Sequence, residues 1–382
     1  MMTKRLLPLA LVLGSLTPIH AQYKVIFNFG APGDPSCPGN PVIAQTPGGS
    51  LASTAESQCT GGQNGAAFEI GFQGANFTIL QNFGTIEPSG GLTLGTDQRL
   101  HGTTSIGGSR NHGTVFRLST QPDIVYQHDF EGGADGAYPD SAPIQSQAGD
   151  WYGTTAGSAS NYAGTVYKID KTGKYSVLHL FTTTDGRGPV FPLVQGTDGY
   201  FYGMTVAGGQ HGLGTIFRIS SAGDFKVLYN FDGTTAPSPS GPLIQASDGN
   251  FYGVSDQGGS LNQGVVFKMT PAGTVTVFYD FSVTAAEGNE PTGGMVQGSD
   301  GNFYGTLTSG GAGGEGTIYR LTPAGMFTKL HDFRTPTGSY PQSTLMQHTS
   351  GKFYGITTDG GANGSGVIFE YDRGLAPFVT FS

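Results

Sequence analysis

The chain has 382 residues, 65 of them glycine, with 11% aromatic and 12% charged side chains and a formal net charge of −9 at pH 7. Disordered chains are rich in charge and poor in aromatics, so this composition excludes disorder, and no G-X-Y period marks a collagen. An acidic surface without a basic run repels phosphate, which excludes nucleic acid and anionic membrane as partners.

In chain order, the N-terminus reads as a secretory signal. Lys4 and Arg5 form a basic start, residues 6–16 are apolar, and Thr17-Pro18-Ile19-His20-Ala21 ends on a small residue. The apolar run is too short to span a bilayer, and no other segment is apolar enough to cross one. Cleavage is expected after Ala21, giving a secreted or periplasmic protein with residues 22–382 as a single domain. Losing Lys4 and Arg5 leaves 16 Lys+Arg against 27 Asp+Glu and moves the net charge from −9 to −11. The only two cysteines, Cys37 and Cys59, are expected to form a disulfide in an oxidising compartment. Two cysteines with no nearby histidine do not make a zinc site.

From about residue 85 onward a repeat is plain. One unit runs Pro192-Leu193-Val194-Gln195-Gly196-Thr197-Asp198-Gly199-Tyr200-Phe201-Tyr202-Gly203, then Gly208-Gly209, Gly214-Thr215-Ile216-Phe217-Arg218-Ile219 and Val227-Leu228-Tyr229-Asn230-Phe231. The closing phenylalanines Phe29, Phe83, Phe130, Phe181, Phe231, Phe281, Phe333 and Phe381 are spaced 54, 47, 51, 50, 50, 52 and 48 residues apart, which gives seven units. The first is degenerate, with Gly49-Ser50-Leu51-Ala52-Ser53 where later units read Gly-Asn-Phe-Tyr-Gly.

Each unit holds four short runs with strand character, a to d. Run a ends at an Asp-Gly hairpin turn, run b is Phe-Tyr-Gly in type, run c is rich in β-branched and aromatic residues, and an Ala-Gly turn leads to d. No segment has a sustained helical period. Four antiparallel strands at a period near fifty predict an all-β, seven-bladed β-propeller of four-stranded blades, because radial stacking buries both faces of every sheet. There are eight d-type runs for seven a-b-c sets, so Lys24–Phe29 is expected to pair in the last blade and close the ring.

The pattern of strand-a Gln, Asp-Gly-Asn-Phe-Tyr-Gly-x-Thr, Gly-Gly and Gly-Thr-Val-Phe resembles the GloVer tandem-repeat family of bacterial exported proteins. The match is best at Asp248–Gly253 and Asp300–Gly305. The resemblance implies a propeller-like fold and export, and it implies no activity.

The recurring polar residues have structural readings. Gln45, Gln145, Gln195, Gln245, Gln297 and Gln347 occupy one position of strand a, with Leu94 in the second unit. They are expected to satisfy backbone groups between blades; a ligand-coordinating polar channel is the other reading. Asp198, Asp248 and Asp300 suit hairpin turns, and a calcium loop would need oxygen ligands at alternating positions. His128, His179 and His331 share one outer-strand position. No histidines cluster as metal ligands, and no Gly-x-Ser-x-Gly, His-Glu-x-x-His or Walker pattern is present. No metal or cofactor is therefore expected.

In such a blade the a–b and c–d turns fall on one side and the b–c loops and d–a connections on the other. The second set is long and varied, and variation on a rigid scaffold is where specificity sits. That face is the candidate binding face, with Arg110, His112, Tyr138, Asp140, His211, Glu290 and Tyr340 as candidate binding residues. Tyr138 and Tyr340 precede recurring prolines, and their rings either stack on sugars or hold the loop down. Cys37 and Cys59 fall on this same side of the first blade. The expected function is non-enzymatic binding of a glycan or an extracellular protein by a monomer. A carbohydrate-active hydrolase or lyase using acids on this face, and a structural or adhesive envelope component, are the alternatives. A close set of carboxylates in a cleft would favour the enzyme, and a large exposed apolar patch would favour assembly.

Overall fold

A computed structural model of the chain describes residues 22–35, 38–39, 42–56, 65–118, 124–157, 163–281 and 287–378. The expected signal segment, Cys37 and Cys59 all lie outside the described residues. Seven antiparallel sheets succeed one another in chain order. Strands a to d of blade 1 are Ala44–Gln45, Leu51–Ala55, Gly65–Ile70 and Thr78–Gly84; those of blade 2 are Pro88–Leu94, Leu100–Thr104, Thr114–Leu118 and Ile124–Asp129. Blade 3 comprises Ile144–Gln145, Trp151–Thr155, Thr165–Ile169 and Tyr175–Leu180, and blade 4 Val194–Gln195, Phe201–Thr205, Thr215–Ile219 and Phe225–Asn230. Blade 5 comprises Ile244–Gln245, Phe251–Ser255, Val265–Met269 and Val275–Asp280, and blade 6 Met295–Gln297, Phe303–Leu307, Thr317–Leu321 and Phe327–Asp332. Blade 7 takes strands a to c from Met346–Gln347, Phe353–Asp359 and Val367–Asp372, and strand d from Gln22–Asn28 at the other end of the chain. The N-terminal strand thus closes the ring, as its surplus d-type pattern predicts. The only helical pieces among the described residues are two three-residue turns, Gly133–Asp135 and Thr335–Thr337.

The repeat motif has a packing reason at each position. Phe381 lies outside the described residues; each of the seven other closing phenylalanines reaches across to the aromatic ring in strand c of the next blade. The pairs are Phe29–Phe68, Phe83–Phe116, Phe130–Tyr167, Phe181–Phe217, Phe231–Phe267, Phe281–Tyr319 and Phe333–Phe369, with centroids 5.0–5.6 Å apart. Most are edge-to-face, the arrangement the ring quadrupole prefers. The glycine of Phe-Tyr-Gly gives that ring room. A Cβ on Gly203 would stand 2.5 Å from Phe217 Cζ and 2.7 Å from Leu193 Cδ2. Strand b is buried along its whole length while strand d is half-buried, so apolar content falls from the axis outward.

The strand-a glutamines staple neighbouring blades. Gln145, Gln245, Gln297 and Gln347 each accept from a backbone N–H in the a–b turn of the preceding blade, at 2.7–2.8 Å, and donate to a glycine carbonyl in their own turn. Gln195 accepts from Gln147 N–H at 3.3 Å. At the junction of first and last blades Gln45 accepts from Thr349 N–H at 3.0 Å. The structural reading of these residues therefore holds. Leu94 interrupts the series, and there an apolar cluster with Ala44, Leu92 and Leu100 joins blades 1 and 2.

Candidate functional site

The b–c loops and d–a connections share one face, and on the axis they surround a funnel of about 400 Å³. Its wall carries three carboxylates: Glu56 follows strand b of blade 1, Glu87 lies between blades 1 and 2, and Asp140 lies between blades 2 and 3. Ser89, Ser105, Ser240 and Thr292 add hydroxyls, and Phe191 with Pro192 adds an apolar strip.

Two of the three acids are shifted by burial and by neighbouring charge. Burial, then the charges of Glu56 and Glu87, push Asp140 up to about 6. Burial and the Glu87 charge likewise raise Glu56. No hydrogen bond from a described residue is among the influences on the Asp140 carboxyl, and its burial dominates. Around the rim, burial and the charge of Glu290 raise Asp256. Among the described residues, no three histidine, cysteine or acidic side chains are disposed to hold a metal ion together.

The residue before each of four d–a prolines, Pro139, Pro189, Pro291 and Pro341, links neighbouring blades. Tyr138 N–H donates to His112 O at 2.9 Å, and its carbonyl accepts from Ala156 N–H at 2.9 Å. Glu290 does the same between Gln263 and Thr308, at 3.1 and 3.0 Å. Gly188 bridges Ala163 and Val206. Tyr340 N–H donates to Glu315 O at 2.9 Å. All four are left-handed, with φ of 58°, 60°, 66° and 55° for Tyr138, Glu290, Gly188 and Tyr340. Glycine does this freely, whereas a side chain before proline is strained by on the order of 1–3 kcal/mol, and the paired hydrogen bonds hold it there.

The candidate residues are thus distributed unevenly. Asp140 lines the funnel and Tyr138 stands two residues before it. Tyr138 is half-buried with its ring edge-on to His112, 5.7 Å between centroids at 88°, which favours the loop-holding reading. Glu290 is exposed and accepts from the Ser309 hydroxyl at 2.7 Å. Tyr340 is exposed on the same face, and Arg110 and His211 stand exposed on the b–c loops of blades 2 and 4 without lining the funnel. Glu56 and Glu87 are the site residues that sequence reasoning missed. They occupy different offsets in their units, so only ring curvature brings them to Asp140.

Comparison with known proteins supports this architecture. Solved structures similar to the chain include a predicted gluconolactonase, at 12% identity and TM-score 0.50 over 95% of this chain and 96% of that one. The extracellular domain of a predicted one-component system from B. thetaiotaomicron matches at 9% identity and TM-score 0.56, over 91% of this chain and 39% of that one. PorZ, a surface component of the type-IX secretion system of Porphyromonas gingivalis, matches at 14% identity and TM-score 0.51, over 92% and 48%. At these identities the likeness is one of fold. No curated protein matches the chain. No helix among the described residues is long and apolar enough to cross a membrane. The model of the Gloeobacter/Verrucomicrobia repeat matches residues 37–247 and again 238–381, nearly the whole of the propeller, and the chain belongs to that repeat family.

Proposed function

We propose that this chain is an exported binding protein whose partner inserts a positively charged group, such as a lysine or arginine side chain of an extracellular protein, into the axial funnel. The observation that carries this reading is the convergence of Glu56, Glu87 and Asp140 in one cavity, with Asp140 held near pH 6 by burial and by its neighbours. A cation there relieves the mutual repulsion and repays the desolvation the acids already bear. The basic N-terminal run followed by apolar residues supports export. Calorimetric titration of residues 22–382 with hexalysine tests the reading. Binding that weakens at least ~10-fold in the E56Q/E87Q/D140N variant supports it, and equal binding by that variant overturns it.

A second reading rests on the same raised carboxyl. A carboxyl raised to about 6 with two further carboxyl groups beside it can serve as general acid in glycoside hydrolysis. Release of reducing ends from a polysaccharide panel, abolished by Asp140→Asn, would replace binding with catalysis as the function.

A further inference from the structure

On the opposite face, blades 2 and 3 enclose a groove of about 560 Å³. It runs from the a–b turn at Thr96 and Asp97, past His101, Arg117 and Gln127, to Trp151 and the c–d turn at Asp170 and Lys171. This junction departs from the others in a correlated way. In blades 3 to 6 the second residue of strand b is tyrosine, and it packs beside an apolar residue of strand d: Tyr152 with Leu178, Tyr202 with Leu228, Tyr252 with Phe278 and Tyr304 with Leu330. In blade 2 both partners are polar. His101 replaces the tyrosine, and Gln127 replaces the apolar residue.

The two substituted residues bond to each other, His101 Nδ1 to Gln127 Oε1 at 2.9 Å. The other imidazole nitrogen faces Asp97 at 3.4 Å, and the imidazole lies on the Trp151 indole with centroids 3.8 Å apart. His101 is 1% exposed. Arg117 reaches Asp97 only at 3.8 Å, and no described residue accepts from its buried Nε. Tyr126, half exposed at 50%, presents its ring at the outer end. In blades 4 to 6 the tyrosine hydroxyl already bonds to the a–b turn carboxylate, at 2.8–2.9 Å for Tyr202–Asp198, Tyr252–Asp248 and Tyr304–Asp300. What blade 2 adds is the buried His101–Gln127 pair where those blades set an apolar strand-d residue, and buried polar groups cost stability that apolar packing does not.

We propose that this groove is a second binding site, built for a neutral sugar unit of a glycan, with hydroxyls held by Arg117, Asp97 and Gln127 and a ring face laid on Tyr126. The charge balance selects a neutral ligand. Arg117 and Lys171 are matched by Asp97 and Asp170, so an anion would meet no net attraction on a protein that is already acidic. Planar amide, guanidinium and carboxylate groups suit adjacent hydroxyls as donors and acceptors, and the volume falls in the range of small-molecule sites.

Trp151 is the only tryptophan in the chain, so its fluorescence reports on this groove alone. Residues 22–382 are titrated with neutral oligosaccharides of glucose, mannose, galactose and xylose, and with galacturonate and glucuronate oligomers. The expected result is a saturable change with at least one neutral series, weakened at least ~10-fold by Arg117→Gln and by Tyr126→Ala. H101Y/Q127L, which restores the seam of the other blades, is expected to melt cooperatively at or above the wild-type temperature and to lose the response. E56Q/E87Q/D140N leaves the response intact, which separates this site from the funnel. No saturable change across the neutral series, tighter binding of the uronates, or an undiminished response in Arg117→Gln would overturn the proposal.

Discussion

His331 lies flat on Tyr23, with ring centroids 4.0 Å apart and planes 6° from parallel, so that blade 6 is stacked directly on the strand that closes the ring. The imidazole has no hydrogen-bond partner at Nε2. Burial holds its pKa down to about 4, against a smaller opposing pull from Asp332. The unfolded chain takes up this proton near pH 6.5, and the folded chain does so only near 4. Stability from this group is therefore complete above about 6.5 and is lost as pH falls through the window to about 4. His331→Phe, the residue type found at Phe27 in blade 7, removes the titration. Thermal melts from pH 4 to 7 are expected to fall less steeply on acidification for the variant; parallel curves would count against this account.

Asp140 has the opposite sign over nearly the same window. Its folded pKa of about 6 lies above its unfolded value near 3.9, so its ionisation destabilises the native state as pH rises from about 4 through 6. Asp140→Asn is expected to stabilise the protein by about 1–3 kcal/mol at pH 7 and to have little effect at pH 4. Denaturant titrations at the two pH values measure this. The two groups partly cancel in the native chain, so each single variant is compared with wild type at every pH.

Gly203→Ala places a methyl group against Phe217 and Leu193 inside the blade. Overpacking of this kind costs about 1–3 kcal/mol. The same change at Gly249, a turn glycine with φ of 80° and open space around its Cβ, tests backbone strain without crowding. A urea midpoint for Gly203→Ala equal to that of wild type would show that the ring has room to retreat.

Gln245→Leu copies Leu94 into another junction. It leaves Thr197 N–H and Gly249 O without the amide they now share, at an expected cost of about 1–3 kcal/mol. Hydrogen exchange at Thr197 is expected to accelerate, because its acceptor is gone. An unchanged exchange rate would mean that water substitutes fully.

Much of this architecture was legible in the chain. The spacing of Phe29 through Phe381 pointed to seven blades, each of the rings from Phe29 to Phe333 fills the same interblade socket, and the surplus pattern at Lys24–Phe29 announced the closing strand, found as Gln22–Asn28. The face that carries the b–c loops and d–a connections followed from topology, and Asp140 lies on it. Glu56 and Glu87 were not legible, because their convergence depends on how three consecutive blades curve about the axis and on no spacing along the chain. The blade 2–3 groove did leave a signal: His101 for tyrosine, Gln127 for an apolar residue and the lone Trp151 for phenylalanine. Each looks like drift when read singly, and only side-by-side placement shows the first two bonded and the third stacked on His101.

The glutamine staples act together as a hoop around the shaft of the molecule. With amides bridging six of the seven junctions, blades 3 to 7 cannot swing outward without breaking bonds to both neighbours, and blades 1 and 2, joined by the apolar Leu94 contact, are each stapled on their other side, which resists iris-like dilation of the bore. Whatever occupies the funnel meets a fixed gauge, and adaptation to different occupants is left to the loops above it.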